Sequence, residues 1–322
     1  MTASTHRSTS LRRGVATLFS AGALVGAYFV ARHITNTSWP LAGAKIELVL
    51  GAAAAYLASF GFRALGWQRL FPAAARPDRS RCLAACGAAA ASGVVLPFRL
   101  DYVVKIATLR RLSGVTLGLD AIAISILSLG LVDAVAMLPL SIAALATSGA
   151  VFRAPLVVVL LFCLGCVAVL TLGPQVGRLP LIARSGRLQG LCGRVGGSAA
   201  RTGSTFAAGG LLLGCWLMRA LGNTFLLWSL GVGFSPGIAL LILCLAAAAS
   251  ILPITAGGAI ASVGATSGVL IAIGVPAHSA VNFSLASGLL LTSSALVAAI
   301  VGVSGSLLFA VNRRRVLRAA VD

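Results

Sequence analysis

The sequence predicts an all-α fold, a polytopic membrane helical bundle, and three observations carry that expectation. Of its 322 residues, 59% are hydrophobic and only 10% are charged, whereas an ordinary soluble domain has about 25% charged residues. Mean hydropathy is +1.02. The apolar residues gather in runs of about 20, the length an α-helix needs to cross the hydrocarbon core of a bilayer. No stretch offers a sizeable soluble domain. Residues 1–322 therefore read as one membrane-embedded unit with a short basic N-terminus (1–13) and a basic tail (312–322).

Taken in order, the first crossing is Gly14 to Ala31. Arg7, Arg12 and Arg13 precede it like the start of a signal peptide, but no clear small-residue cleavage site follows, so it reads as a retained helix. The second crossing is Ile46 to Phe62, followed by a basic loop from Arg63 to Arg81. Cys82 to Leu96 is apolar and leads into a charged stretch, Pro97 to Arg111. Val115 to Ala146 is a long crossing with Asp133 near its middle, and Pro155 to Leu172 crosses again. Gly173 to Arg201 carries five arginines without an acid, spaced as in an amphipathic surface helix. Thr202 to Leu230 is a crossing that holds Arg219 and Asn223. Pro236 to Leu252 and Ile260 to Ile273 are apolar and are separated by Pro-Ile-Thr-Ala-Gly-Gly. Ala280 to Val311 completes the membrane part, and Arg313, Arg314, Arg315 and Arg318 mark the tail.

Charge placement sets the topology. The net charge is +19, and the only lysines are Lys45 and Lys105. The arginines lie in loops, as the positive-inside rule and contact with anionic lipid require, and no basic-aromatic motif for nucleic acid is visible. The N-terminus, the loops at 63–81 and 173–201 and the tail all fall on the cytoplasmic side only under one condition. Cys82–Arg111 must enter and leave from that side, and Pro236–Ile273 from the other. Locally, an ordinary crossing that ends near Pro97 before a surface loop fits as well; it is the arginine count that favours the re-entrant reading. The expectation is about six full crossings and two re-entrant helical hairpins, one from each face, in an inverted-repeat-like arrangement.

Two half-helix N-termini would then point at the bilayer centre, one at Pro97 and one after Thr255-Ala256-Gly257-Gly258. Free N–H groups and partial positive charge at such ends suit a phosphate. Arg99 and Lys105 add full charge, and Asp101 precedes Lys105 by four residues, the favoured order for a helical ion pair. The glycine pair reads equally as a kink or a helix contact. Asp133 and Arg219 sit mid-crossing, where ionisable groups are costly; they read as site residues or as an ion pair with each other. Asn223, one turn beyond Arg219, lines the same cleft or bonds a neighbouring helix. His278, beside Pro276, reads as a surface residue. Gly22–Gly26, Gly210–Gly214 and Gly264–Gly268 have the GxxxG spacing of helix contacts. The seven cysteines, Cys163-x-x-Cys166 included, read as small packing residues. The six acids, Glu47, Asp78, Asp101, Asp120, Asp133 and Asp322, are too scattered to predict a metal site or catalytic pair.

Three motifs resemble the transmembrane, flippase-like region of lysylphosphatidylglycerol synthases, as a stand-alone member without the synthase domain. Pro97, Arg99, Lys105, Leu109, Arg110 and Arg111 fit its first motif, with Asp101-Tyr102 in place of Gly-Glu. Leu131-Val132-Asp133 resembles its Leu-x-Asp, without the preceding Glu-Arg. Pro253-Ile254-Thr255-Ala256-Gly257-Gly258, with Gly274-Val275-Pro276, resembles its Pro-Ile-Thr-Pro-Gly-Gly and Gly-Val-Pro, and Val263 stands near the place of an expected acid.

The resemblance implies movement of an anionic, aminoacylated or polyprenyl-phosphate-linked lipid between leaflets of the cell membrane. It implies no lipid synthesis. The expected protein is thus not an enzyme and needs no cofactor. It binds an anionic lipid or lipid-linked phosphate and has cytoplasmic termini. Its expected site is Pro97, Arg99, Asp101, Lys105, Asp133, Arg219, Asn223, Thr255, Gly257 and Gly258. A separate lipid-modifying enzyme or glycosyltransferase is the expected protein partner. The alternatives are an intramembrane lipid-carrier transferase and a non-transporting scaffold for such a partner.

Overall fold

The computed structural model describes residues 39–96, 99–113, 118–176, 202–251 and 259–319. Among the described residues the regular structure is entirely helical: α1 (Ile46–Arg69), α2 (Arg79–Ser92), α3 (Asp101–Ser113), α4 (Leu119–Thr147), α5 (Ala150–Val176), α6 (Thr202–Ser229), α7 (Pro236–Ile251), α8 (Ala259–Ala272) and α9 (Ala277–Ala319). Five of them, α1, α4, α5, α6 and α9, are long and apolar enough to cross a membrane, and the protein is a helical membrane bundle. The first crossing and the amphipathic segment expected after α5 lie outside the described residues, apart from the few that end α5.

Helix boundaries follow local chemistry. α1 runs two turns past the expected Phe62. Arg63 therefore belongs to the helix, and the basic loop begins only at Leu70, passes a short 3-10 turn at Ala73–Ala75 and ends at Asp78. Gln68 closes this loop by donating to the Pro77 carbonyl at 2.8 Å. Asp78, the residue before α2, pairs with Arg81 at 3.3 Å and places an acid at a helix N-terminus, where it is favoured. α6 and α8 end alike. Gly231 (φ 79°) and Gly274 (φ 92°) take the left-handed turn, and Val232 and Val275 donate back to Leu227 and Leu270 at 3.0 and 2.9 Å. Both are Schellman closures. α9 continues through the arginines expected in a tail, as far as Ala319.

The order long helix, two short helices, long helix occurs twice, as α1, α2–α3, α4 and as α6, α7–α8, α9. α1 packs along α6, α2 along α9, and α7 along α4, so each short pair leans on the long helix that follows the other pair. α1 and α6 run antiparallel with glycines facing aromatic rings: Gly51 meets Phe225, Gly222 meets Tyr56, and Gly214 meets Phe62. α2 and α9 approach backbone to backbone, with Gly87 against Ala295 and Ala299 and Gly302 against Ala84. The GxxxG expectation fails in part. Among the described residues nothing lies within 4 Å of where a Cβ would stand on Gly210, Gly264 or Gly268. Gly22 and Gly26 lie outside the described residues. α5 is peripheral, with Val151, Val158 and Leu161 exposed as lipid-facing residues are.

Candidate functional site

α1 places Tyr56, Phe60, Arg63 and Trp67 on one face, one turn apart. The spacing is that of an ordinary buried stripe, except that it contains a cation. Arg63 Nη2 donates to Asp133 Oδ2 on α4 at 2.7 Å, and Trp216 Nε1 on α6 donates to the other oxygen, Oδ1, at 2.9 Å. Asp133 thus ties α1, α4 and α6 together. Arg219, the ion-pair partner that the alternative reading gave Asp133, lies elsewhere, stacked near Trp216 (5.2 Å) and Phe60 (5.7 Å), with Nε 3.5 Å from Ser59 Oγ. One turn on, Tyr56 donates to Asn223 Oδ1 at 2.6 Å, so Asn223 both bonds a neighbouring helix and lines the cleft.

α3 supplies the second charged wall. The described helix starts at Asp101, just after Arg99, which is left-handed (φ 60°). That conformation costs a non-glycine residue about 1–2 kcal/mol. It turns Arg99 back onto Asp101 at 3.8 Å and onto the Tyr102 ring at 4.8 Å, where its Nη2 donates to the Tyr102 hydroxyl. The expected Asp101–Lys105 pair therefore does not form. Lys105 is buried, 6% exposed, with its Nζ 4.2 Å from the centre of the Trp67 ring. Trp67 is itself fixed, since its Nε1 donates to Ser125 on α4 at 3.1 Å.

These side chains border a cavity of about 380 Å³ between α1, α2, α3, α6, α7, α8 and α9. Small-molecule sites span about 300–1,000 Å³, so a polar headgroup fits and long acyl chains do not. Four cations surround it, Arg63, Arg99, Lys105 and Arg219, against one lining carboxylate, Asp101, and Asp133 behind Arg63. The wall from α7 and α8 is uncharged, with Ile242, Leu243, Val263 and Thr266.

Of the expected site residues, the structure brings Arg99, Asp101, Lys105, Arg219 and Asn223 to this cavity, with Asp133 just behind. Pro97, Thr255, Gly257 and Gly258 lie outside the described residues. Sequence reasoning missed Tyr56, Arg63, Trp67 and Trp216. The four-three-four spacing from Tyr56 to Trp67 was the signal that the helix continues past Phe62. Among the described residues no three His, Cys, Asp or Glu side chains gather as metal ligands would. Comparison with protein-family models, with curated proteins and with solved structures found no match to this chain.

Proposed function

We propose that this protein moves a lipid with an anionic headgroup between the leaflets of the cell membrane, as a flippase-like transporter with both termini in the cytoplasm. The observation that carries the reading is the positive excess around the cavity, four cations against two carboxylates. At the centre of a bilayer each cation costs about 2.5–3.5 kcal/mol on insertion scales. A cation stacked on an aromatic ring recovers about 0.5–2 kcal/mol. Two cations without a carboxylate therefore take up a sizeable part of a typical stability of about 5–15 kcal/mol. Such a cost is retained where charge serves a ligand.

The topology belongs to the same proposal. α2 has 14 residues, α3 13, α7 16 and α8 14. At about 1.5 Å per residue none reaches the roughly 30 Å of the hydrocarbon core. Reading α2–α3 and α7–α8 as re-entrant hairpins keeps the arginine-rich segments on the cytoplasmic face and, with the first crossing, makes six full crossings. The twice-repeated helix order and the antiparallel α1–α6 pair support an inverted repeat, in which one half rocks against the other around a midplane site. The resemblance to the membrane region of lysylphosphatidylglycerol synthases supports the same function, with a separate lipid-modifying enzyme or glycosyltransferase as partner. The transferase alternative has less support, because both carboxylates near the cavity are held by arginines, at 2.7 and 3.8 Å.

The test is translocation of fluorescent phosphatidylglycerol and phosphatidic acid in proteoliposomes. Lys105→Gln combined with Arg219→Gln should slow translocation at least tenfold while leaving the melting temperature of the protein unlowered or raised, since the uncompensated charges are removed. Equal rates for the variant and the unaltered protein would contradict the proposal.

A further inference from the structure

We infer that the cavity prefers a lipid phosphate monoester, with two negative charges on one terminal phosphate, over a phosphodiester or aminoacylated headgroup. This deepens the lipid-transport reading and rests on it.

The first support is the inventory of acids. The chain has only six, and five are among the described residues. Asp101 and Asp133 are taken by Arg99 and Arg63, and Asp78 by Arg81. Glu47 and Asp120 are exposed at the starts of α1 and α4. Among the described residues neither Lys105 nor Arg219 lies in an ion pair. With Lys105 as the ammonium, two positive charges therefore face one cavity without a matching carboxylate.

The second support is that these two cations are held in place. Lys105 rests on Trp67, which Ser125 fixes, and Arg219 on Trp216, which Asp133 fixes. An aromatic face positions a cation without neutralising it.

The third is the wall from α9. Ser284 and Thr292 of α9 donate to carbonyls one turn back, at 2.9 and 2.8 Å, so their hydrogens are already committed. Charge recognition falls to the cations. A phosphate monoester carries about −1.5 to −2 near pH 7 and three terminal acceptor oxygens, which matches the surplus. A phosphodiester has a single charge and leaves one cation unmatched. An aminoacylated headgroup brings an ammonium into an already positive site.

The test is binding to the full-length protein in detergent, read by native mass spectrometry and by tryptophan fluorescence. The probes are phosphatidic acid, farnesyl phosphate, phosphatidylglycerol, lysylphosphatidylglycerol and glycerol 3-phosphate. The two monoester lipids should bind at least tenfold tighter than phosphatidylglycerol, and tighter at pH 8 than at pH 5.5. Arg219→Gln should erase that preference, and Arg219→Lys, which keeps the charge, should retain it. Equal or tighter binding of phosphatidylglycerol or lysylphosphatidylglycerol would overturn the monoester preference and leave lipid transport standing. Binding of no lipid would overturn both. Glycerol 3-phosphate binding as tightly as phosphatidic acid would support the monoester chemistry and remove the lipid from it.

Discussion

The two pairs of short helices hold matching places in the helix order and differ in chemistry. From its first residue to its last, α2–α3 carries Arg79, Arg81, Arg99, Asp101, Lys105, Arg110 and Arg111, whereas residues 236–272, which make α7–α8, contain no charged side chain. Both pairs border the same cavity. Since α7–α8 packs without charge, the layout does not require it, and under the proposed function the charge on α3 serves the headgroup. The pairs also differ in how they are seated. α2 meets α9 backbone to backbone at Gly87, while Gly264 and Gly268 of α8 face open space among the described residues.

That difference in seating yields the largest expected effect. Gly87→Leu would drive a side chain into the Ala295–Ala299 backbone, which cannot yield as a flexible side chain would. Its cost belongs at or above the top of the usual overpacking range of about 1–3 kcal/mol. Gly268→Leu adds an apolar group to an exposed helix face and should cost nothing, with a gain of up to about 1 kcal/mol from helix propensity. Thermal unfolding in detergent measures both, and equal losses would erase the contrast between the pairs.

Giving the uncharged pair a charge has the next largest effect. Val263→Asp puts a carboxylate into the uncharged part of the cavity lining. At an effective dielectric of 20, one opposite charge about 4–8 Å away is worth about 2–4 kcal/mol. Translocation of phosphatidic acid in proteoliposomes should fall about tenfold or more, about 1.4 kcal/mol per factor of ten. The smallest effect is expected from Thr266→Val, which removes a hydroxyl from the same wall and leaves every charge in place. It should change translocation less than threefold in the same assay.

Most of the helix order is legible in the sequence, because each long helix is built on a long apolar run with at most a few charges in it. α7 and α8 begin and end within a residue or so of their apolar segments. Hydropathy misleads where an apolar run meets a charge. Arg63 reads as the first residue of a loop, yet Asp133, 70 residues away in sequence, keeps it within α1. No local pattern announces such a partner. Pairing is hard to read for the same reason. Asp101 stands one turn before Lys105, but the left-handed turn at Arg99 takes the carboxylate first. Arg99, Lys105, Arg219 and Asn223, which line the cavity, stand out in the sequence because charge or amide in an apolar setting is costly wherever the chain folds. The aromatic supports do not: Trp67 falls in the stretch that reads as a basic loop, and Trp216 stands in an apolar run, where an aromatic residue has no cost to mark it.

The most direct measurement is an electron cryomicroscopy map of the protein in nanodiscs that contain phosphatidic acid. The account predicts headgroup density between Lys105 and Arg219, with the turn between α2 and α3 ending inside the bilayer. A cavity filled only by water, with α2 passing through to the far surface, would contradict it.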